Sequence, residues 1–386
     1  MAADDTNARL TLHVFGGCKG ESIVLELPDG KWGVVDCYFE FLDQPLRCPM
    51  WKFLVDRGVT ELEFLCLTHP HDDHYRGMSF LLANLRVRSF WRSAAMSDSR
   101  LKWILKAVKV EAIKSGVSGF EEDSTELFKI FGLIKEQRKR KEPEPLVLKD
   151  VSLGTQVYPI PFDERASVSI ESFAPSGRSR DRYEEGLARC FDESGRFQNG
   201  MEQGHHNVAS IGLLVVFGET RIVLGGDVEV NGWSDALNEF GASRLQSSVV
   251  KVSHHGSTNG YCEGTWAALA SKTPPESIVT AFRQHRLPRK NAIEHIQEFA
   301  SRIVTPHLPA ISSEEVPVPL SVRASVKSRV ALAKEFHAKH LTESDITGGQ
   351  CSLTFDASGR CLETTLSPSA AVIWERPVRK KGRTKR

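Results

Sequence analysis

The sequence predicts an α+β protein with two β-layers and a helical stretch between them. The chain opens in strand-like runs separated by tight turns, its middle shifts to helical spacing rich in lysine and glutamate, and strand patterning then returns in a second block. At 386 residues it is long enough for one large decorated domain or two ordinary ones, with a sizeable core.

From Leu10 to Asp36 the runs LTLHVF, ESIVLELPDG and KWGVVD read as a β-meander. Pro28-Asp29-Gly30 supplies a hairpin turn, because proline presets one turn residue and glycine tolerates positive φ. Leu62 to Thr68, LEFLCLT, is an apolar run that ends at a cluster of imidazoles, as expected of a buried strand delivering polar residues at its carboxyl end. Residues 101–145 place Leu101, Ile104, Leu105 and Val108, then Leu127, Ile130, Phe131 and Ile134, at helical spacing. That stretch ends in Arg138-Lys-Arg-Lys141 and Glu-Pro-Glu-Pro, a charged surface linker whose prolines break a helix. Strand patterning resumes at Val168–Pro175, Ser210–Phe217 and Arg221–Leu224 and implies the second β-layer. Between them, 176–206 is polar and rich in glycine and arginine and is expected to be a loop. The region 289–340 is mixed, helical in its second half, and 350–366 reads as a closing hairpin around Ala357-Ser-Gly.

Composition narrows the function classes. Hydrophobic residues make up 40% and charged residues 26%, the ordinary globular range. No apolar run approaches the roughly 20 residues needed to span a bilayer, so no membrane role is expected. The N-terminus carries acids where a secretory signal needs a basic start and an apolar stretch, which predicts a cytoplasmic protein. Cysteines at 18, 37, 48, 66, 190, 262, 351 and 361 form no CxxC pair and no cluster, so neither a disulfide framework nor a zinc ribbon is indicated. The net charge is +1, yet residues 376–386 hold seven Arg or Lys and no acid, which leaves −6 on the rest. The basic character is a tail, and a globally basic nucleic-acid surface is unsupported.

The chemistry concentrates in Thr68-His-Pro-His-Asp-Asp-His74, three imidazoles and two carboxylates directly after a strand. Burying that many polar groups unpaired costs several kcal/mol each, on the order of 2–7, so a divalent metal using them as ligands is the economical explanation. The pattern resembles the HxHxDH motif of the metallo-β-lactamase superfamily, with His69, His71, Asp73 and His74 in the motif positions and Asp72 at the variable one. Asp36 after Gly33-Val-Val matches the early aspartate of that family, and Asp227 in Val223-Leu-Gly-Gly-Asp matches its metal-bridging aspartate. Within the superfamily the sequence is most similar to the hydrolase domain of the ComEC/Rec2 competence proteins and its soluble relatives. That likeness is carried by Phe15-Gly-Gly-Cys-Lys-Gly-Glu-Ser22, Asn207-Val-Ala-Ser210, Gly226-Asp227 and Val250-Lys-Val-Ser-His-His-Gly-Ser257.

The resemblance implies a four-layer αββα sandwich with a metal site where strand ends converge. It implies two divalent metals about 3.5–4 Å apart, zinc favoured and manganese admitted by the carboxylates. His69 and His71 would bind one, Asp73 and His74 the other, with Asp227 bridging and Asp36 orienting a histidine. A metal-bound hydroxide would attack a phosphoryl or carbonyl centre. His254 and His255 are each open to a role as ligand or as general acid, and His255 joins the expected metal set. Asn207 stands where many members have a third histidine. Arg286-Leu-Pro288 stands where ComEC-like proteins show His-Pro, so His254, His255 or His285 would have to replace the ligand missing at Leu287. Ser210 and Ser257 are read as structural or substrate-contacting, and Cys18 and Cys37 as buried. Lys251, Arg283, Arg286 and Arg289 lie near site segments and suggest a phosphodiester substrate, hence a nuclease or phosphodiesterase.

The expected organisation is a hydrolase domain at 8–300 with a helical insertion at 101–165, an extension at 301–370 with helix and hairpin, and a basic tail at 371–386. Nucleic acid or a nucleotide is the expected substrate, and a protein partner would meet 101–165 or the tail. The rival readings are a non-catalytic metal-binding scaffold and a hydrolase of a β-lactam or thioester.

Overall fold

The computed structural model describes residues 8–17, 19–115, 120–159, 167–198, 205–270, 273–282, 285–307 and 348–377, the side chains of 109–115 and 120–124 excepted. Cys18, Arg283, the helical half expected within 301–340 and tail residues 378–386 lie outside them.

Among the described residues, sixteen strands form two eight-stranded sheets. The first takes β1 (Leu10–Gly16), β2 (Glu21–Glu26), β3 (Trp32–Val35), β4 (Glu61–Leu67), β5 (Arg86–Ser93) and β6 (Val147–Val151) in chain order. The second takes β7 (Gln156–Tyr158), β8 (Val168–Ala174), β9 (Gly212–Phe217), β10 (Thr220–Leu224), β11 (Val249–Lys251), β12 (Glu276–Ile278) and β13 (Arg302–Thr305). The chain then returns to the first sheet with β14 (Gly349–Phe355) beside β1 and β15 (Cys361–Leu366) outside it, and ends in the second with β16 (Ala371–Glu375) against β13. Each sheet is part antiparallel and part parallel: β3 to β6 and β10 to β13 run parallel.

Period-two alternation decides what each face buries. Leu10, Leu12 and Val14 of β1, Ile23 and Leu25 of β2, Leu213, Val215 and Phe217 of β9, and Ile222 and Leu224 of β10 fill one core between the sheets. Val24, Leu62, Leu65 and Leu67 face the other way, under helices α1 (Pro49–Asp56), α2 (Asp72–Tyr75), α3 (Met78–Asn84), α4 (Asp98–Ser115) and α5 (Phe120–Gln137). Beyond them α6 (Gly177–Arg189) adds Tyr183 and Leu187 to the same outer cluster. Leu214, Val223 and Val250 lie under α7 (Val230–Asp235), α8 (Thr265–Leu269) and α9 (Lys290–Phe299). The architecture is the four-layer αββα sandwich. Between the sheets the Phe64 and Trp91 rings stack at 4.0 Å. The Phe64 ring lies where a side chain on Gly33 would go, so β3 passes it only as glycine.

Three stretches differ from the sequence reading. The segment 176–206, expected as a loop, contains α6: Ser176 caps it by accepting from the Ser179 N–H at 3.0 Å, and Tyr183 and Leu187 sit one turn apart on its buried face. Within 101–165, helices α4 and α5 are followed by β6 and β7, which pair into the sheets because Val151, Val157 and Tyr158 belong to the central core. Beyond residue 300, β13 to β16 pair into both sheets, and β16 occupies the start of the expected tail. No helix among the described residues is long and apolar enough to cross a membrane.

Candidate metal centre

The parallel strands of both sheets deliver their carboxyl ends to one place, where convergent loops of such sheets present polar groups. From β3 comes Asp36, from β4 the run Thr68 to His74, from β10 Asp227, from β11 His254 and His255, and from beyond β12 Thr280. The backbone joins the two halves directly, since the Ile211 N–H donates to the Thr68 carbonyl at 3.1 Å. The chain is bent hard here: Asp36, His254 and His255 adopt left-handed φ of 58°, 47° and 50°, a conformation that costs a non-glycine residue about 1–2 kcal/mol. Gly20, at φ 70°, runs against the Tyr38 ring and the Asp73 carbonyl, where no side chain fits.

Three groups of ligand atoms result among the described residues, one of them, Glu21, Asp36 and His74, lying behind the other two. His69, His71 and Asp227 offer one set within 4.8 Å of one another; Asp73, His74 and His255 offer a second. Asp227 links them, 3.7 Å from His69 Nε2 through Oδ2 and 3.4 Å from His74 Nε2 through Oδ1. His69 Nε2 lies 2.9 Å from His71 Nδ1, and His74 Nε2 3.4 Å from Asp73. Apart from half-buried His71, these side chains are buried. Asp36 receives the His74 Nδ1–H at 2.7 Å, the Thr68 hydroxyl at 2.7 Å and the Thr68 N–H at 2.9 Å. Thr68, which the sequence reading left without a role, in turn meets His69 Nδ1 at 3.0 Å.

Electrostatics shows what the cluster wants. Burial alone pushes the Asp73 and Asp227 carboxyls up, but His74 and its neighbouring histidines outweigh it and hold both well below the usual carboxylate range. Burial pushes His74 down, yet Asp73, Asp227 and Asp36 raise it well above an ordinary imidazole. Burial leaves His69 well below that range and His71 lowered. Four buried carboxylates, Glu21, Asp36, Asp73 and Asp227, face one buried ammonium, Lys251, and the imidazole of His74, which they hold toward its charged form; at Asp36 burial outweighs His74 and raises the carboxyl. Among the described residues His74 Nε2, Asp227 Oδ1 and Asn207 Oδ1 are buried with no hydrogen-bond partner. A surplus of buried negative charge with unpaired nitrogen and oxygen donors fits divalent cations.

The other expected residues divide. His254 is partly exposed, its Nδ1 3.3 Å from Glu229 and its Nε2 3.9 Å from Asp227. Asn207 donates to Glu229 at 2.8 Å, so its amide is directed to that carboxylate. Ser210 accepts the Asp227 N–H at 2.9 Å and fixes that loop. Ser257 closes a turn through its N–H on the His254 carbonyl. His285 is exposed, stacked on Phe282 at 4.8 Å, and belongs to none of the ligand groups; Leu287 is buried. Lys251 differs from its expected service to a phosphate, because it is fully buried and its ammonium lies 2.5 Å from Glu21. Arg286 and Arg289 are exposed. Cys37 is buried, and burial pushes its thiol up, away from the thiolate a metal needs.

Sequence reasoning missed Glu21, Glu229 and Thr280. His206, which the sequence gives no role, is buried beside His71, ring centres 5.2 Å apart, with Nδ1 2.9 Å from the Tyr183 hydroxyl. A glutamate on the core-facing parity of a strand was the available signal for Glu21.

No family model and no curated protein matches the sequence. Among solved structures the chain is similar to Zn2+-bound PqqB from Methylobacterium extorquens, at 11% identity over 59% of this chain and 58% of that one, TM-score 0.30. It is also similar to a mutant of the β-hydroxylase CmlA, at 12% identity over 78% and 52%, TM-score 0.38. A third is a diphosphatase of the PhnP family, at 11% identity over 73% and 90%, TM-score 0.36. The match thus spans little more than half of the first two proteins, and likeness at this level says nothing of activity.

Proposed function

We propose that this protein is a metal-dependent hydrolase of the metallo-β-lactamase type, acting on phosphodiesters of nucleic acid or nucleotides in the manner of the ComEC-like branch. The observation that carries it is the convergence of His69, His71, Asp73, His74 and Asp227 into two adjoining ligand sets with buried, unpaired donor atoms. Two divalent ions, zinc in first place and manganese as the alternative, would supply an acidified water and stabilise developing negative charge. The chain's own residues do the rest. Asp36 orients His74 through Nδ1 and His69 through the Thr68 hydroxyl. Asp73 holds His74 and His255 to one side, while Asp227 joins the two sets. His254 stands at the exposed rim, where burial lowers it but Asp227 and Glu229 raise it, and it is the group placed to protonate a leaving oxygen from Nε2. The exposed guanidinium groups of Arg286 and Arg289 lie in the segment following His285 and are the proposed phosphate contacts.

The test is elemental analysis of the purified protein, then cleavage assays on single-stranded DNA, duplex DNA, RNA and cyclic nucleotides with zinc or manganese. Metal near two per chain with cleavage of at least one phosphodiester is expected. Bound metal without any hydrolysis would favour a scaffold, and hydrolysis confined to a thioester or β-lactam would overturn the substrate class.

A further inference from the structure

We propose that Glu21, Thr280 and Lys251 are positioning residues that keep the His255 proton on Nδ1, so that Nε2 enters the metal centre as a lone pair and His255 serves as a ligand. The inference rests on the metal-centre reading above and decides which of the paired histidines is the proton donor.

Glu21, Ile23 and Leu25 share one face of β2, and Val249 and Lys251 share one face of β11; both faces line the core between the sheets. The same alternation carries Ile278 inward and, two residues on, Thr280. A carboxylate, an ammonium and a hydroxyl therefore meet at the end of an apolar core, each buried. Glu21 Oε2 accepts from Lys251 Nζ at 2.5 Å and from the Thr280 hydroxyl at 2.6 Å. A threonine hydroxyl has one proton, and it goes to Glu21. The Thr280 oxygen is left as an acceptor, and its remaining partner is His255 Nδ1 at 2.9 Å, which must carry the hydrogen.

A neutral imidazole protonated at Nδ1 presents a lone pair at Nε2, and here Nε2 lies 3.2 Å from Asp73 Oδ2. Two acceptors at that distance call for a cation between them, a divalent ion or a proton in its stead. The first sheet repeats the arrangement, with Asp36 taking the Thr68 hydroxyl and Thr68 meeting His69 Nδ1. The order carboxylate, threonine, histidine is the same in both relays, but the His255 relay crosses the sandwich: its carboxylate comes from β2 of the first sheet and its threonine and histidine follow β12 and β11 of the second. Lys251 acts through Glu21: its ammonium donates to Oε2 at 2.5 Å and holds that oxygen where it takes the Thr280 hydroxyl.

Thr280→Val removes the hydroxyl at nearly constant shape and leaves the Glu21–Lys251 pair in place; Thr280→Ser restores the hydroxyl. Zinc stoichiometry and affinity by competition titration, and the His255 ring protonation by nitrogen-15 NMR of histidine-labelled protein, are the readouts. The wild-type and Thr280→Ser proteins should hold zinc with hydrogen on His255 Nδ1. Thr280→Val should lose about 10–100-fold in affinity for one zinc, with a wild-type circular dichroism spectrum. Undiminished zinc affinity in Thr280→Val, or a zinc-loaded wild type with the His255 proton on Nε2, would overturn the proposal. Should Thr280→Val not fold, the wild-type protonation decides. If the wild type takes up neither zinc nor manganese, the metal reading fails by itself, and hydrogen bonding of His255 Nδ1–H to Thr280 in the metal-free protein still upholds or, if absent, refutes the relay.

Discussion

At the scale of single residues, carboxylates set the centre's properties. Asp73→Asn removes an anionic group that faces both His74 and His255, so hydrolysis should fall at least 100-fold, the scale of a lost general acid–base or ligand function. The sandwich core is apolar and distant, so the circular dichroism spectrum should hold; full activity in Asp73→Asn would remove this carboxylate from the mechanism. Asp36→Asn keeps one acceptor oxygen and puts an NH2 donor in place of the other, so the bonds from His74 Nδ1–H, the Thr68 hydroxyl and the Thr68 N–H cannot all be kept, and metal affinity should drop about 10–100-fold by competition titration. His206 gives a pH signature. Burial holds it well below its ordinary value, so the folded protein keeps it neutral while the unfolded chain takes up a proton near pH 6.5. Its contribution is therefore present above about pH 6.5 and is lost as pH falls through the folded value. The urea midpoint of the wild type should decline below that pH more steeply than that of His206→Gln, and parallel curves would show that the imidazole is not the source. The HxHxDH run was legible because its ligands are contiguous, and Asp227 because it ends a strand after two glycines. Glu21 and Lys251 were not: 230 positions apart, each looks like an ordinary surface charge until alternation turns both inward.

Among elements, α6 shows where reading by composition stops. Arginines and glutamates dominate it, and its buried face holds only Ser179, Tyr183, Gly186 and Leu187, too weak an apolar stripe to stand out. What defines it is the cap. Ser176 accepts from Ser179 N and donates to buried Asp235 at 2.6 Å, tying the helix start to the end of α7. Ser176→Ala should destabilise the protein by about 1–2 kcal/mol, a lost N-cap plus one hydrogen bond to a charged group. Since Tyr183 on α6 meets His206, the same change should loosen the wall beside His71 and raise KM before kcat falls. An unchanged urea midpoint in Ser176→Ala would show that the cap is dispensable.

For the whole molecule, the two-layer plan was visible in the alternating runs, but its closure was not, because strand pairing across most of the chain leaves no local trace. Leu10 faces Phe355 and Gly16 faces Gly349, and Cys351, Leu353 and Phe355 join the central core. A chain cut at residue 307 would lose those side chains and uncover Leu10, Leu12 and Val14. At about 1.5–3 kcal/mol for each large side chain, that loss rivals the 5–15 kcal/mol that holds a typical domain together. The truncated protein should show no cooperative thermal transition, and a wild-type melting curve would contradict the account. Removing residues 378–386 instead should leave melting unchanged and, under the proposed activity, short-nucleotide turnover as well. If the tail contacts nucleic acid, the removal should flatten the salt dependence of binding to long DNA or RNA.

The pairing of β1 with β14 also has a consequence in time. A ribosome adding about 5–20 residues per second needs roughly 17–70 s to travel the 345 positions from Leu10 to Phe355. Before that interval ends every histidine and aspartate of the candidate metal centre has been made, while the first strand still waits for its neighbour. Newly made chains therefore spend their early life with an open strand edge, a surface that recruits other chains or chaperones. Stalled nascent chains ending near residue 310 should be cleaved readily by protease, and synthesis of the remaining 76 residues should switch the sandwich into a resistant form.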